Sequence, residues 1–321
     1  MHTKDSWWII KPGEDANRGN GIKVFNNLQK IKEHVTVEFN SGAKQYKTCI
    51  IQKYMENPYL IHRRKFDIRV FALLTYVANF EKNEGVLRGW FYEEGYVRTS
   101  SKEFGLTAGD NLFVHLTNDA VQKNSADYGK YEAGNKISYS DFDKILIKDK
   151  EVSFYQKLLP QIKKRTGDVF KAAGKKLIGE VRSDYNGFEW LGLDFMIDDD
   201  MNLTLIEVNT NPCLETQSCI LLQRLIPQMI DQSLKIAVDP FFGASEHQYL
   251  MNQEFVATEV KYSMVHEEVI EGIKSTPTWD MATSYYQPPK RNNDEQIEEN
   301  DTSQMKMNCG IEATDVAAQE K

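Results

Sequence analysis

The stretch that most constrains the fold runs from residue 188 to residue 214 and reads FEWLGLDFMIDDDMNLTLIEVNTNPCL. Its two apolar runs, residues 191–197 and 203–208, flank the acidic, turn-prone segment 198–202. Apolar runs on either side of a short polar linker predict a β-hairpin. Because successive residues of a strand point to opposite sides, the hairpin decides which side chains share a face.

Three oxygen-bearing side chains are predicted to lie on one face of this hairpin. Asp194 lies within the first strand, Glu207 lies near the end of the second, and Asn209 follows two residues later. A buried strand rarely carries an unpaired carboxylate, because its desolvation is expensive. Hard oxygen ligands that meet across a hairpin suit Mg²⁺, so these residues predict a magnesium site. The alternative is an edge hairpin with solvated carboxylates.

A glycine-rich segment near the N-terminus is typical of a phosphate-binding loop. An apolar strand at residues 7–10 is followed by Lys11, by the glycine-rich segment 13–21 and by a second strand at 22–25. Glycines let backbone N–H groups approach anionic oxygens, and Lys11 and Arg18 add positive charge. The segment lacks the spacing of a Walker loop. An ordinary hairpin turn is the alternative.

Two further predicted strands carry polar residues. Residues 47–55 form a strand whose polar end exposes backbone beside Tyr54, an arrangement that can bracket an adenine ring. In the next strand, Lys65, Asp67 and Arg69 alternate with apolar residues, so one face carries three charges. A solvated edge strand is the alternative interpretation of that pattern.

The longest predicted helix spans residues 154–181, where apolar residues recur at helical spacing. Pro160 and Gly167 predict a bend or a division into two pieces. The opposite face is basic and is either solvated or a docking surface for an acidic partner. Its basic residues are Lys157, Lys163, Lys164, Arg165, Lys171, Lys175, Lys176 and Arg182.

The remaining elements are predicted from shorter patterns. Residues 111–118 read as a strand with a polar end, and residues 219–237 read as a helix interrupted by a proline. Residues 239–242 are expected to close the compact part, and residues 246–264 are expected to form one more helix. From about residue 276 the composition is that of a disordered tail.

Composition limits the class of protein. The 321 residues are 41% hydrophobic, which is enough for a sizeable core, and they allow one large domain or two. The four cysteines show no disulfide-like or metal-binding spacing, which suits a reducing compartment. With neither a membrane-length apolar run nor a signal peptide, a soluble intracellular protein is expected. The net charge of −8 argues against a general nucleic-acid binder.

The ordered set of motifs resembles the tubulin tyrosine ligase family, including its polyglutamylase and polyglycylase relatives. The matching pieces are WWIIKP, RGNGI, IIQKYMENPYLI, RKFDIRVFALL, GYVRTSS, HLTNDAVQK, YGKYEAGN, LGLDFMIDDD and LIEVNTNPCL. The resemblance implies the ATP-grasp fold, of class α+β or α/β, in which antiparallel-rich mixed sheets with flanking helices hold a nucleotide between two subdomains. Residues 1–66 would be the remainder of its central domain, 67–242 its C-terminal domain, and 243–321 a helix with an acidic, largely disordered tail.

The resemblance also implies roles for individual residues. Lys11, Arg18 and Gly19 would contact the ATP phosphates, and Gln52, Lys53, Tyr54 and Met55 would form the hinge on the adenine side. Lys65, Asp67, Thr117 and Asn118 would complete the nucleotide site, with Arg69 facing the reacting phosphate. Asp194, Glu207 and Asn209 would hold Mg²⁺. Arg98 would bind the carboxylate of the incoming amino acid, and Lys136 falls where glutamate-adding members place a lysine that binds the side chain.

The implied chemistry is phosphoryl transfer followed by acyl transfer. A carboxylate of the target protein attacks the γ-phosphate of ATP and becomes an acyl-phosphate, and the amine of a free amino acid then displaces the phosphate. The enzyme mainly positions the reactants and neutralises charge. Tubulin, with its acidic tails, is the implied target, and the cytoplasmic microtubule cytoskeleton, with the cilium or basal body as a further site, is the implied location.

Three features depart from the family pattern. Only six residues precede WWIIKP, which predicts an N-terminally short chain. YGKYEAGN resembles the tyrosine ligase itself, while Lys136 resembles the glutamate-adding members. Asp119 and Ala120 match neither the Tyr-Ser pair common in glutamate-adding members nor the tyrosine ligase well, and the segment NTNPCLE after the second hairpin strand differs from the tyrosine ligase version. Because a cation favours an acidic side chain, glutamate is predicted ahead of tyrosine and glycine.

Three functions therefore compete. The first is an ATP- and Mg²⁺-dependent ligase that adds an amino acid to tubulin. The second is a truncated, non-catalytic module that binds tubulin or microtubules, which the short N-terminus favours and the intact metal set opposes. The third is an ATP-grasp ligase for a different target. Incorporation assays with separate labelled amino acids would discriminate among them.

Overall fold

The computed structural model describes residues 6–13, 19, 21–40, 48–79, 84–109, 111–179, 186–241 and 261–271. The predicted hairpin is present in this part of the chain, as two strands of the larger of two antiparallel sheets. Within these ranges, no helix combines the length and the apolar character that crossing a membrane requires.

The smaller sheet carries the ends of the glycine-rich segment. Its strands lie in the order β2-β1-β3, with bounds β1 Trp8–Pro12, β2 Lys23–Phe25 and β3 Cys49–Lys53. A helix, α1 (Leu28–Asn40), follows β2. The central strand β1 buries its apolar residues Ile9 and Ile10, whereas the edge strand β3 exposes Ile50 and Ile51.

The larger sheet has six strands, in the order β6-β5-β4-β7-β8, with β9 also pairing with β5. Every neighbouring pair is antiparallel. The bounds are β4 Arg64–Asn79, β5 Glu84–Glu103, β6 Lys136–Ser138, β7 Gly187–Ile197, β8 Leu203–Asn209 and β9 Tyr262–Glu271. Because β4 has a neighbour on each side, its charged residues lie in the middle of the sheet and not at an edge.

Helices cover both faces of this sheet. Their bounds are α2 Leu112–His115, α3 Asp119–Gln122, α4 Tyr139–Lys150, α5 Leu159–Gly179 and α6 Ile220–Ala237. Successive residues of β4 point to opposite faces of the sheet and contribute to two hydrophobic cores. Val70 lies in the core that contains residues of α4 and α5, whereas Phe71 lies in the core that contains residues of α6. The sheet is therefore the middle layer of three.

The long predicted helix is confirmed as two pieces. A π-helical turn, Phe154–Leu158, precedes α5, and Pro160 is the second residue of α5, where a missing backbone N–H is tolerated. A Cβ at Gly167 would lie 2.6 Å from the carbonyl oxygen of Val265 in β9. Glycine at this position therefore allows the helix to approach the strand closely.

Other predicted elements need correction. Residues 111–118 were expected to form a strand, but the described chain forms the short helix α2, whose start Asn111 caps with its side chain. The helix at 220–237 runs through Pro227 without a break. Residues 239–242 do not close the compact part, because β9 adds a strand to the large sheet. The last residues of the helix predicted at 246–264 belong to β9, and the rest, like the predicted tail, lies outside the described residues.

Candidate active site

The central strand β4 brings together three charged residues. Lys65, Asp67 and Arg69 alternate along it as predicted, and all three are buried. The alternative of a solvated edge strand is therefore wrong. Buried charges need partners, because an unpaired one would be strongly destabilising, and each of the three has partners on a neighbouring element.

Arg69 pairs with the central carboxylate of the hairpin. The two residues lie opposite each other in the β4–β7 register. Arg69 Nε donates to Asp194 Oδ1 at 2.6 Å, and its Nη2 donates to Asp194 Oδ2 at 3.2 Å. This two-point geometry is the strong form of a guanidinium–carboxylate contact.

Arg98 on β5 joins the same cluster from the other side of β4. It lies opposite Asp67 in the register, and its Nε and Nη2 donate to the two oxygens of Asp67 at 2.7 Å each. Its Nη2 also lies 2.8 Å from Asp194 Oδ2. Thr117 donates its hydroxyl hydrogen to Asp67 Oδ2. Two arginines and two aspartates therefore form one buried cluster without net charge.

The cluster shifts the pKa values of Asp194 and Arg98. Burial alone would raise the pKa of Asp194, but the charges of Arg98 and Arg69 and their hydrogen bonds hold that pKa well below its usual range. Burial alone would lower the pKa of Arg98, but Asp194 and Asp67 hold it above its usual value. Asp194 and Arg98 therefore remain charged at neutral pH.

The predicted magnesium ligands share one side of the hairpin. Asp194 lies opposite Glu207, Gly192 lies opposite Asn209, and Asn209 Nδ2 lies 3.4 Å from Asp194 Oδ2. Glu207 keeps 46% of its side chain exposed, and its Oε2 lies 3.4 Å from Lys11 Nζ. Two carboxylates and an amide oxygen form a donor set that suits Mg²⁺. The described residues contain no group of three or more His, Cys, Asp or Glu that could hold a metal, so the set depends on Asn209.

Lys65 lies in a separate pocket of aromatic and backbone groups. Its Nζ donates to the carbonyl oxygen of His115 at 2.8 Å and to the hydroxyl of Tyr54 at 3.2 Å, and it lies 4.5 Å from the centre of the Tyr54 ring. Burial lowers the pKa of Lys65 to about 7, an effect that Asp67 opposes and Lys11 reinforces. Tyr54 Oη also lies 2.9 Å from His115 Nδ1.

The residues predicted to form the adenine-side hinge are the last two of β3, Gln52 and Lys53, and the next two, Tyr54 and Met55. The backbone N–H of Tyr54 donates to the carbonyl oxygen of Trp7, so Tyr54 lies at the end of the small sheet, beside the start of β1. The Tyr54 side chain is buried, Gln52 and Met55 are half-buried, and Lys53 is exposed. These four residues therefore do not present one continuous open face.

Only part of the predicted phosphate-binding loop lies within the described residues. Arg18 lies outside the described residues. Gly19 adopts a φ of 81°, and a Cβ built there would lie 3.2 Å from Asn118 Nδ2. The C-terminal end of the loop thus approaches the segment of Thr117 and Asn118, and a larger residue at Gly19 would be strained.

Lys136 has a carboxylate partner that the sequence analysis did not assign to it. Lys136 Nζ lies 2.8 Å from Asp119 Oδ1 and 2.9 Å from the carbonyl oxygen of Gly134. Tyr128 donates its hydroxyl hydrogen to the same Asp119 oxygen at 2.6 Å. In the register of β5 and β6, Lys136 lies opposite Arg98.

The basic face of α5 is exposed at several of its predicted positions, which are Lys164, Arg165, Lys171 and Lys176. Lys163 is different, because its Nζ lies 2.6 Å from Glu93 Oε1. Arg182 lies outside the described residues. The basic surface of the helix therefore excludes Lys163.

Sequence reasoning missed His115, Asp119 and Tyr128 as site residues. The Asn118–Asp119 dipeptide before a short apolar run was a signal for a helix start, because Asp and Asn favour that position. Nothing in the sequence pattern indicated that Asp119 contacts a lysine 17 residues later.

Comparisons with known proteins identify close relatives. A family model described as "Tubulin-tyrosine ligase family" matches residues 1–246. Tubulin glycylase 3D of Tetrahymena thermophila is 35% identical over 241 residues, which are 74% of this chain and 21% of that protein. The probable tubulin polyglutamylase ttll-9 of Caenorhabditis elegans is 32% identical over 233 residues, 72% of this chain and 52% of that protein.

A second relative named as a probable polyglutamylase matches with a similar identity and coverage. The probable tubulin polyglutamylase TTLL9 of Rattus norvegicus is 35% identical over 241 residues, 66% of this chain and 49% of that protein. The chain spans about a fifth of the length of the Tetrahymena glycylase and about half that of the polyglutamylases. The predicted fold class, ATP-grasp with antiparallel sheets and flanking helices, is confirmed by the family match and the two sheets.

Proposed function

Because the chain belongs to the tubulin-tyrosine ligase family, we propose that it is a ligase that attaches an amino acid to tubulin, with ATP and Mg²⁺ as cofactors. The observation that carries this proposal is the buried cluster in which Arg69 and Arg98 share the carboxylate of Asp194. Structural strands seldom bury four charges, whereas a site for anionic reactants needs fixed cations in a water-poor environment.

ATP would supply the phosphoryl group that activates the carboxylate of the target. Lys11 on the small sheet and Lys65 on β4, which influence each other electrostatically, would neutralise the phosphates. Lys65 is suited to this role because its ammonium is held by His115 and Tyr54 and is poorly hydrated. A bound phosphate would raise its pKa above about 7 and keep it charged.

The hairpin oxygens would hold Mg²⁺. Glu207 is the most accessible of the three, since 46% of its side chain is exposed and its contact with Lys11 is long. Asp194 would have to share its oxygens between the ion and the two guanidinium groups. The ion would supply charge that offsets the phosphates.

Arg98 would bind the carboxylate of the incoming amino acid, and Arg69 would face the reacting phosphate. Both guanidinium groups are oriented by Asp67 and Asp194, so little conformational entropy would be lost when a ligand joins them. Thr117 supports this arrangement by donating to Asp67. Binding would thus bring the carboxylate and the phosphate of the reactants to guanidinium groups that the two aspartates already position.

The identity of the amino acid has two candidates. Glutamate is favoured by the Lys136 ammonium, and glycine is favoured by the Asp119 contact, which already satisfies that ammonium. The relatives include proteins named as glycylases and as probable polyglutamylases. The acidic tubulin tails would dock on the exposed basic face of α5, and the protein would then act on microtubules in the cytoplasm, with cilia as a further location.

Incorporation of labelled amino acids tests the proposal. The 321-residue chain is incubated with tubulin, MgATP and, separately, labelled glycine, glutamate or tyrosine. Incorporation of at least one of them, abolished by Glu207→Gln and retained by Asp231→Asn on the exposed face of α6, supports a ligase. Absence of incorporation of all three, with tubulin binding retained, would favour the second candidate, a non-catalytic tubulin-binding module. That candidate is favoured by the full engagement of both Asp194 oxygens with arginines.

A further inference from the structure

Lys136 lies beside the residue that would bind the amino acid. It is the first residue of β6 and stands opposite Arg98 of β5, so the two side chains lie on the same face of the sheet. Any amino acid whose carboxylate contacts Arg98 would therefore place its side chain within reach of Lys136. The charge state around Lys136 then bears directly on which amino acid is accepted.

Asp119 neutralises this lysine. Asp119 Oδ1 accepts hydrogen bonds from Lys136 Nζ at 2.8 Å and from Tyr128 Oη at 2.6 Å. The Lys136 side chain is only 3% exposed, whereas that of Asp119 is 35% exposed. The ammonium is therefore covered, and the carboxylate stands at the accessible side of the pair.

The loop that carries Tyr128 and Gly134 is firmly attached to the large sheet. Asn135 donates from Nδ2 to the carbonyl oxygen of Thr99 and to the hydroxyl of Ser101, both at 3.0 Å, and its Oδ1 accepts from the N–H of Gly129. The backbone oxygen that Lys136 contacts is thus held in place. Because these hydrogen bonds hold the loop, it cannot readily move to separate Lys136 from Asp119.

We propose that Asp119 is a specificity-determining residue that masks Lys136 and directs the site towards amino acids with uncharged side chains. This inference rests on the proposed ligase function. A glutamate side chain that approached Lys136 would have to displace the Asp119 carboxylate or lie beside it, and like charges at close range are unfavourable. Glycine introduces no such carboxylate, and the Lys136 ammonium keeps its partner.

A purely structural role for Asp119 predicts different behaviour. Asp119 is the first residue of the four-residue helix α3, where an acidic side chain could serve only the helix start. In that case its charge would matter for stability but not for the choice of amino acid. The substitution Asp119→Asn separates the two roles, because the amide oxygen can still accept from Tyr128 and Lys136 while the charge is lost.

The experiment compares glutamate with glycine in the full chain. With MgATP and tubulin, Asp119→Asn is expected to raise the ratio of glutamate to glycine incorporation by about 10- to 100-fold, the range for one charged hydrogen bond. Adding Lys136→Met to Asp119→Asn is expected to abolish that gain. Asp127→Asn, in the same loop region but paired with Lys102 and Lys130, is the matched control and should leave the ratio unchanged.

Two results would overturn the inference. One is an unchanged ratio in Asp119→Asn while incorporation continues; the other is a wild type that already prefers glutamate over glycine. If Asp119→Asn does not fold, Asp119→Ser removes the same charge with a residue that also suits a helix start. If the wild type incorporates no amino acid and binds neither glycine nor glutamate in the presence of MgADP, the ligase function itself is wrong, which is a distinct outcome.

Discussion

Asp194 and Glu207 lie opposite each other in the hairpin register, yet their surroundings differ completely. Asp194 is buried and contacts Arg69 and Arg98, whereas Glu207 is 46% exposed and its contact with Lys11, at 3.4 Å, is long. The Asp194 carboxylate therefore pairs with two arginine side chains, and the Glu207 carboxylate is accessible to a ligand. Substitutions at Glu207 should therefore affect ligand binding, whereas substitutions that disturb the contacts of Asp194 should affect stability.

Substitution of Glu207 should affect metal binding and not folding. Glu207→Gln removes a charged oxygen from the predicted Mg²⁺ set, so the affinity for Mn²⁺, used as a spectroscopic substitute for Mg²⁺, should fall by at least about tenfold, as for loss of one charged ligand contact. Because the side chain is half exposed, the free energy of unfolding should change by less than about 1 kcal/mol. Electron paramagnetic resonance titration and urea denaturation measure the two effects. Unchanged Mn²⁺ affinity would remove Glu207 from the proposed set.

Substitution of Arg69 should destabilise the fold. Arg69→Met removes the two-point contact of Arg69 with the buried Asp194, so the free energy of unfolding should fall by about 1–3 kcal/mol. The matched control is Arg88→Met, which breaks the more exposed pair with Glu267 on the same sheet and should lower it by less than about 1 kcal/mol. Equal losses for both variants in urea denaturation would mean that burial of the Asp194 cluster adds nothing to stability.

Lys65 should make stability depend on pH. Its pKa is lowered from 10.5 to about 7 by burial, so between these values the unfolded chain binds a proton that the folded protein has released. The contribution of this group to stability is therefore smallest below pH 7 and rises as the pH increases towards 10.5. Lys65→Met should remove that rise in urea denaturation measured at several pH values. The control is Lys102→Met, at a half-exposed lysine. If the rise in stability with pH persists in Lys65→Met, another titrating group causes that rise.

The basic face of α5 should govern binding to tubulin. Single exposed charges contribute little, so reversal of Lys164, Arg165 and Lys171 together is needed for a clear effect. This triple variant should bind tubulin more weakly by sedimentation assay, and wild-type binding should weaken with added salt because screening is strong at about 0.15 M. Reversal of the exposed Lys30 and Lys32 on α1 is the control. Docking would have to occur on another surface if wild-type binding did not change with salt concentration, or if the triple variant bound tubulin with unchanged affinity.

Much of the fold followed from local pattern. The hairpin, the alternation of Lys65, Asp67 and Arg69 on one strand, and the long helix before the hairpin were all predicted from periodicity, because each period corresponds to one backbone geometry. The short helix α2 was missed, since its four residues are too few to show a helical period and a run such as Leu112-Phe113-Val114 fits a strand equally well. Strand β9 was missed because its neighbour β5 lies far away along the chain.

The sequence by itself determined which chemical groups this protein carries and on which side of a strand or helix each one lies. The tertiary structure alone decided their partners: Arg69 contacts Asp194 across 125 positions of sequence, Arg98 contacts Asp67 across 31, and Lys136 contacts Asp119 across 17. These pairs depend on strand order and register, which are properties of the whole sheet. The same lysine therefore predicts a glutamate site when considered alone and a masked cation when Asp119 is beside it.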